Sequence, residues 1–459
     1  MSAFVIPAEA GIQRRYMFND AKSHWMPDQV RHDRYRTLIY RHSQYMKTSI
    51  HYAWIILAAG TLVIFGALGL ARFGYTMVLP AMQLGLGLNN TQAGGLATAN
   101  LIGYLALSVL GGALAARYGP RIVITVGLTV TAVGMLLTGF ANSFADAAAW
   151  RALTGIGSGA SNVPALGLLA AWFVQRRSGL ATGIGVTGSS IALIVLGILV
   201  PHVLAAYGWN GWRMCWFIFA GITLGLAVLA FTILRNCPSE LGLLPFGAQG
   251  DSETVTVSVR ELNWGRVYRS GIVWHLGLIY VAFGFSYIIY MTFFTKYLIT
   301  EGGYTQESAG RLFMLMGWLS LLCGLIWGSV SDTLGRKTAL VIVYIIQATA
   351  FGLFALLPST PGFVLSAVLF GLSAWSIPAI MAATCGDLLG PRLAPAGLGF
   401  VTLFFGVGQA AGPAVAGIVA DASHSISPAL LLAAGVALLG AFGSLFLRGT
   451  SPKQNRGRV

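Results

Sequence analysis

Charge is what this chain lacks most. Only 9% of its 459 residues are Asp, Glu, Lys or Arg and 56% are hydrophobic, whereas soluble domains average about 25% and roughly 45–50%. A water-soluble fold of this length could not cover itself with so few charges. Acid is scarcer than base, 14 residues against 28. Every acid lies in the N-terminal stretch, in a loop, or within a turn or two of the end of an apolar run, with Asp146, Asp332, Asp387 and Asp421 nearest to lipid. The four cysteines, Cys215, Cys237, Cys323 and Cys385, show no metal-type spacing and are expected reduced. Of seven histidines, five lie before residue 52 or in a loop, leaving His202 and His275 near the ends of apolar runs. Neither metal binding nor nucleophilic catalysis has a constellation to rest on, so no cofactor, metal or enzyme activity is expected. The net charge of +14 forms no basic soluble face with interleaved aromatics, which excludes a nucleic-acid partner.

What the chain has is apolar length. Windows of about 20 apolar residues, enough to cross a bilayer, fall near 53–80, 91–115, 120–141, 146–173, 178–205, 212–234, 271–298, 308–331, 338–358, 362–386, 395–420 and 427–447. The first, fourth, seventh and tenth carry the most polar residues. The segment Gly112-Ala-Leu-Ala-Ala-Arg117-Tyr-Gly119-Pro-Arg121 recurs in altered form as Gly328-Ser-Val-Ser-Asp332-Thr-Leu-Gly335-Arg336-Lys337, an offset of 216 (328 − 112). The same offset pairs Gly155 with Gly371, Arg176 with Arg392 and Gly183 with Gly399. One bundle of membrane helices has been duplicated in the same orientation, as in many secondary transporters. The 59 glycines are nearly twice the average share of about 7%. Pairs four apart, Gly155/Gly159, Gly179/Gly183 and Gly408/Gly412, put small faces together for close helix packing. Gly408-Gln409-Ala-Ala-Gly412-Pro413 is also a place where the eleventh span could bend.

Lysine and arginine set the orientation, because basic residues are retained in the cytoplasm. With residue 50 cytoplasmic, the inner loops and tail hold fifteen basic residues and the outer side holds Arg213, Lys296 and Arg311. Both termini are therefore expected inside, in a multi-pass protein of a bacterial inner membrane. The expected organisation is an extension over 1–45, a six-helix half over 46–234, a cytoplasmic linker over 235–270, a second half over 271–448 and a tail over 449–459. Residues 1–45 are charged, lack a spanning run and are not a signal peptide. Val5-Ile-Pro-Ala-Glu-Ala-Gly-Ile-Gln13 and Met26-Pro-Asp-Gln-Val-Arg-His-Asp33 resemble the translation of a dispersed bacterial DNA repeat, which makes Met46 the preferred start. The alternative is a basic arm that touches anionic lipid. The polar run Gly250 to Ser258 of the linker reads as a flexible tether.

The G-x-L-x-D-x-x-G-R-K pattern of the second copy, met here with Ser329-Val where the family has x-L, resembles the cytoplasmic loop signature of the major facilitator superfamily. Arg151-Ala-Leu-Thr-Gly155-Ile-Gly157 resembles its fourth-span motif, with Thr154 where glutamine is common. The first-span string Gly69-Leu-Ala-Arg72-Phe73-Gly-Tyr75-Thr-Met-Val-Leu79-Pro80-Ala-Met82 and the loop Cys385-Gly-Asp-Leu-Leu-Gly-Pro-Arg392 are similar to a bacterial subgroup of that superfamily, the YbfB-type carriers. Pro238-Ser-Glu-Leu-Gly-Leu-Leu-Pro245 resembles the start of the linker in its organic-anion and monocarboxylate carriers. The resemblance covers about 50–448. It implies an all-α membrane protein of twelve transmembrane helices in two pseudo-symmetric six-helix halves, in which the first, fourth, seventh and tenth helices line a central cavity, working as a monomer. The exchanger signature of the fifth span is not met, since Gly183-Ile-Gly185-Val-Thr-Gly188 has no proline.

Arg72 and Arg151 carry the sharpest chemistry. A charge at the centre of a spanning helix costs roughly 2.5–3.5 kcal/mol on insertion scales, and such residues usually face a wet cavity. The blander readings are snorkelling to the outer surface for Arg72 and a packing role for Arg151. With no acid at that depth, the pair favours an anionic guest, and the planar guanidinium fork suits a carboxylate. Helical spacing puts Tyr75 and Thr76 beside Arg72, and Thr154, Ser158 and Asn162 beside Arg151. Asn100, Tyr104 and Ser108 form a polar stripe on the second span; Tyr280, Tyr287 and Met291 lie on the seventh and Trp375 on the tenth. Any one stripe is equally interhelical glue. The expected substrate site is Arg72, Tyr75, Thr76, Asn100, Tyr104, Arg151, Ser158, Asn162, Tyr287 and Trp375.

The resemblance also implies a conformational latch. In the family, the loop aspartate tethers one half to the other on the cytoplasmic side. Here the second copy keeps it as Asp332, ahead of Gly335, Arg336 and Lys337, whereas the first copy has Ala116. Pseudo-symmetry directs Asp332 to the start of the fifth span, at Arg176 and Arg177. The function expected is alternating-access transport of a small organic anion, with protons as a possible partner. The alternative, a multidrug or other efflux carrier of cationic or neutral compounds, calls for a buried carboxylate, and none is visible.

Overall fold

Helices begin and end in this chain where the duplicated sequence places caps and turn glycines. The computed structural model describes residues 51–248 and 265–447. The expectations for residues 1–45, for the Gly250 to Ser258 tether and for the 449–459 tail lie outside the described residues. In chain order the helices are α1 (Tyr52–Leu86), α2 (Asn90–Tyr118), α3 (Pro120–Phe140), α4 (Phe144–Trp172), α5 (Gln175–Tyr207), α6 (Gly211–Ile233), α7 (Gly271–Thr300), α8 (Gln306–Leu334), α9 (Arg336–Leu356), α10 (Thr360–Gly390), α11 (Ala396–Ser423) and α12 (Ser427–Leu445). From Ala53 onward they form one compact unit.

The offset of 216 recurs in the geometry. Helices α2 and α8 start at Asn90 and Gln306, α3 and α9 at Pro120 and Arg336, α4 and α10 at Phe144 and Thr360, and α6 and α12 at Gly211 and Ser427. Their caps match too. Asn89 and Thr305 each close a capping box, with Gln92 and Ser308, while Ser143 and Ser359 accept the backbone N–H groups of Asp146 and Gly362. Gly119 (φ 85°, ψ 141°) and Gly335 (φ 87°, ψ 154°) make the same sharp reversal after α2 and α8, a backbone conformation that L side chains rarely adopt.

Nine stretches among the described residues are by themselves long and apolar enough to cross a membrane, and the bent pair Asn90–Ser108 and Leu110–Tyr118 makes ten. One of the nine, Gln175–Ile233, holds two helices, α5 and α6, because the backbone leaves the helix at Gly208 (φ 52°, ψ −125°). Helix α4, with Asp146, Arg151 and Asn162, is more polar than these. These account for the twelve helical segments. Besides the bent α2, two more depart from regular geometry: α1 is π-helical over Phe65–Phe73, and α10 is interrupted between Ser373 and Ser376.

The two repeats meet at one end and part at the other. At the end poor in Lys and Arg, Gly94 of α2 lies so near α11 that an added Cβ would strike the carbonyl of Pro413, and Gly197 of α5 and Gly310 of α8 each face the other's carbonyl. Gln306 donates from Nε2 to Met77 O at 2.9 Å, and Thr98 Oγ1 to Ala410 O at 2.8 Å. Fourteen residues along, about four helical turns and so on the same faces, Gly183 of α5 and Gly324 of α8 have, among the described residues, nothing within 4 Å of the point a Cβ would occupy. Among the described residues the two repeats are shut together at the basic-poor end and open toward the basic-rich one.

Candidate functional site

The site is built on the irregular part of α1. In its π segment the Gly74 N–H reaches Gly69 O, five residues back, so the helix is widened and carbonyls turn away from the usual ladder. Two are taken by α4: Ala67 O accepts from Ser158 Oγ, and Ala71 O accepts from Arg151 Nη1 at 2.7 Å. Helix α4 in turn lies tight on α2, because Gly155 and Gly159 leave no room for a Cβ against the carbonyls of Asn100 and Tyr104. That approach lets Asn100 Nδ2 donate to Arg151 O at 3.0 Å.

Arg72 lies in the last turn of the π segment and is half-buried. Its guanidinium stands over the ring of Tyr104, 4.5 Å from the centroid, and Nη1 reaches Tyr287 Oη of α7 at 3.5 Å. The same Tyr287 hydroxyl accepts from Gln409 Nε2 of α11, and Tyr104 Oη accepts from Asn162 Nδ2 at 2.9 Å. The other edge of Arg72, Nε and Nη2, is buried without a hydrogen-bond partner. Those two nitrogens form the side on which a guanidinium grips a carboxylate with two parallel bonds.

Arg151 is 1% exposed. Beyond its bond to Ala71 O, it lies 4.8 Å from the ring centre of Tyr75 and 4.9 Å from that of Trp216, and its Nε is unpartnered. Tyr75 is held by a 2.7 Å bond from its hydroxyl to Ala93 O. Arg72, Arg151, Tyr75, Thr76 and Asn100 border a small cavity whose opposite wall is Ile288, Met291 and Thr292 of α7. Both repeats therefore wall it. The described acids all sit at helix ends or in loops, Asp146 in the first turn of α4 being the one on that helix.

Of the residues expected at the site, the structure brings Arg72, Tyr75, Thr76, Asn100 and Arg151 to one cavity, with Tyr104 and Tyr287 on the Arg72 guanidinium. Ser158 and Asn162 are engaged between helices, with Ala67 O and Tyr104 Oη. Trp375 packs on Phe73, ring centres 5.6 Å apart, and donates to Ser190 Oγ at 3.1 Å, linking α10 to α1 and α5. Gln409 belongs to the Gly408–Pro413 hinge motif, and a lone amide within an apolar run is itself a signal of polar contact. Trp216 and Phe73 carry no such signal in their residue type.

The residues of the expected latch lie at the open end. Asp332 pairs with Arg336 Nη1 at 2.5 Å, and Arg336 Nε also binds Asp387 Oδ2 at 2.9 Å, so one arginine holds two acids of its own repeat. Arg176 and Arg177 are exposed, with the Arg177 guanidinium 5.2 Å from the ring centre of Phe246. Lys337 is next to Arg336, at the start of α9. The expected approach of Asp332 to Arg176 and Arg177 is not among the described contacts of this conformation.

Two repeats of membrane helices, closed on one side around a polar cavity and open on the other, are the form of a membrane carrier. The family description "Major Facilitator Superfamily" matches residues 61–394 and 297–458, and the chain belongs to that superfamily. Among its relatives, a probable sulfoacetate transporter of Cupriavidus necator is 24% identical over 441 residues, covering 90% of this chain and 99% of the relative. A hexuronate transporter of Bacillus subtilis is 24% identical, over 80% of this chain and 88% of its own. Solved structures share the fold. A bacterial homologue of the human lysosomal transporter Spinster matches with TM-score 0.66 at 17% identity, over 87% of this chain and 95% of that one. A nucleoside transporter matches with TM-score 0.65 at 15% identity, over 87% and 99%. The chain is thus a secondary transporter, not an enzyme, and its organic-anion resemblance agrees with its relatives.

Proposed function

We propose that the chain carries a small organic anion, with a carboxylate or sulfonate group anchored on Arg72, across a bacterial inner membrane. The observation that carries this reading is the buried, unpartnered Nε/Nη2 edge of Arg72, a residue that borders a cavity walled by both repeats. Unsatisfied donors on a cation at that depth are costly, and a guest with two coplanar oxygens completes them. Sulfoacetate and hexuronate, named for the two relatives, are guests of that kind. A carrier of cationic drugs would call for a carboxylate at the same depth, and the described acids lie elsewhere.

Twelve spans with the basic-rich end and both termini in the cytoplasm follow from the Lys/Arg bias, and the molecule works as a monomer. On that orientation the conformation described is open to the cytoplasm. With no acid beside the cavity, a proton rides on the substrate's own carboxyl group, or the cycle is an exchange of anions. When the cytoplasmic end closes, Asp332 leaves Arg336 for Arg176, Arg177 and the N-terminus of α5. Uptake into proteoliposomes of labelled monocarboxylates, dicarboxylates, sulfonates and aromatic acids, with and without a pH gradient, tests this reading. Saturable uptake of at least one anion, lost in Arg72→Ala, supports it; uptake confined to cations or neutral compounds overturns it.

A further inference from the structure

Two guanidiniums border the cavity, and the proposed function uses one of them. We propose, resting on that reading, that the cavity selects a small dianion over a monoanion of the same length, Arg151 supplying the second charge that makes the difference. Arg151 is buried almost completely yet lines the same cavity as Arg72. Its Nε has no partner, as Nε and Nη2 of Arg72 have none. Three donor nitrogens on the two cations that border the cavity are thus buried without a partner. The groups that do satisfy Arg151, the Ala71 carbonyl and the faces of Tyr75 and Trp216, are all neutral, so they orient its charge without cancelling it.

A monoanion on the Arg72 fork leaves one positive charge uncompensated beside apolar walls of Phe73, Leu101, Ile288 and Met291. A second anionic group one or two carbons away removes that residue of charge. Low dielectric strengthens the attraction relative to water, and the lining hydroxyl and amide groups of Thr76, Asn100 and Thr292 can complete the bonds of the second group. The walls are close, so the spacer is short. Arg151 acts here through charge and one donor, while its bond to Ala71 O keeps it in place on α1.

The test uses the full chain in nanodiscs, with two matched pairs of probes: malonate against propionate, and sulfoacetate against ethanesulfonate. Binding is measured by calorimetry at pH 8, where each carboxyl, ordinarily titrating near about 4, is ionised. The expected result is at least tenfold tighter binding of the dianion in both pairs. Arg151→Gln should reduce that ratio to near one while the anions still bind, and lowering the pH until the carboxyl of sulfoacetate is protonated, where ethanesulfonate keeps its single charge, should do the same for that pair in the unmodified protein. The pH series keeps the test available where Arg151→Gln fails to fold. Equal affinity of dianion and monoanion in the unmodified chain overturns the dianion proposal and leaves the anion site standing. Failure of all four probes to bind overturns the dianion proposal, while the anion site still stands if the wider panel of labelled anions is taken up.

Discussion

Replacing Asp421 by Asn should loosen the basic-poor end of the molecule. The Asp421 carboxylate, on the last turn of α11, accepts from Asn90 N at 2.9 Å, Thr91 N at 2.8 Å and Thr91 Oγ1 at 2.6 Å. It thus caps the N-terminus of α2, in the other repeat, with a charge of the sign that end attracts. Beside it Lys296 of α7 bonds Gln83 Oε1 at 2.5 Å and also Asn90 Oδ1. A hydrogen bond to a charged group contributes about 1.5–3 kcal/mol and a charge at a helix terminus about 0.3–1 kcal/mol when exposed. Asn keeps one acceptor oxygen and loses the charge, and the site is half-buried, so the low end applies, about 1–2 kcal/mol. At about 1.4 kcal/mol per factor of ten the population open at this end should rise roughly 5- to 30-fold. Ala97→Cys, on the cavity lining, reports this through its rate of labelling by an impermeant maleimide from the basic-poor face. Cys237, the one cysteine of the four that is not buried, is replaced by serine. An unchanged labelling rate in folded Asp421→Asn protein would refute the assignment of this contact as the closure.

Gly183→Val should fold with little change in thermal stability, since nothing lies within 4 Å of its Cβ position, yet lose transport, because α5 and α8 could no longer close there as they close at Gly197 and Gly310; unimpaired uptake would contradict this. Asp332→Asn should favour the state open at the basic-rich end by about 1–2 kcal/mol, the order of a partly buried charge at a helix terminus, read by cysteine accessibility from each side. Unchanged accessibility would make Asp332 a local partner of Arg336 only. Removing residues 1–45 should leave insertion and uptake intact, checked by membrane fractionation and flux; loss of insertion would make the arm part of the working protein.

The duplication made the fold legible. Recurrence of Gly119 as Gly335 already marked the α2–α3 and α8–α9 reversals, and the caps at Asn89 and Thr305 obey the same spacing. Polar residues in apolar runs likewise pointed to Arg72, Tyr75, Thr76, Asn100 and Arg151. What could not be read was which groups satisfy one another. The π segment of α1 leaves no mark that distinguishes Phe65–Phe73 from an ordinary apolar helix, yet it decides that Ala71 O meets Arg151. Partners such as Arg72 with Tyr287, or Asn90 with Asp421, lie 215 and 331 residues apart, and no local periodicity carries information over that distance. Asp421 was visible as an acid near lipid, but its role depends on the helix end it meets.

Uptake by Arg72 variants in proteoliposomes, using an anion that the unmodified chain transports, tests the central claim most directly. Arg72→Ala should cut the initial rate at least 100-fold with expression near normal. Arg72→Lys should recover little of it, because a point charge lacks the Nε/Nη2 fork. Wild-type uptake by folded Arg72→Ala would contradict the account, since the guanidinium would then be neither anchor nor selector for the substrate.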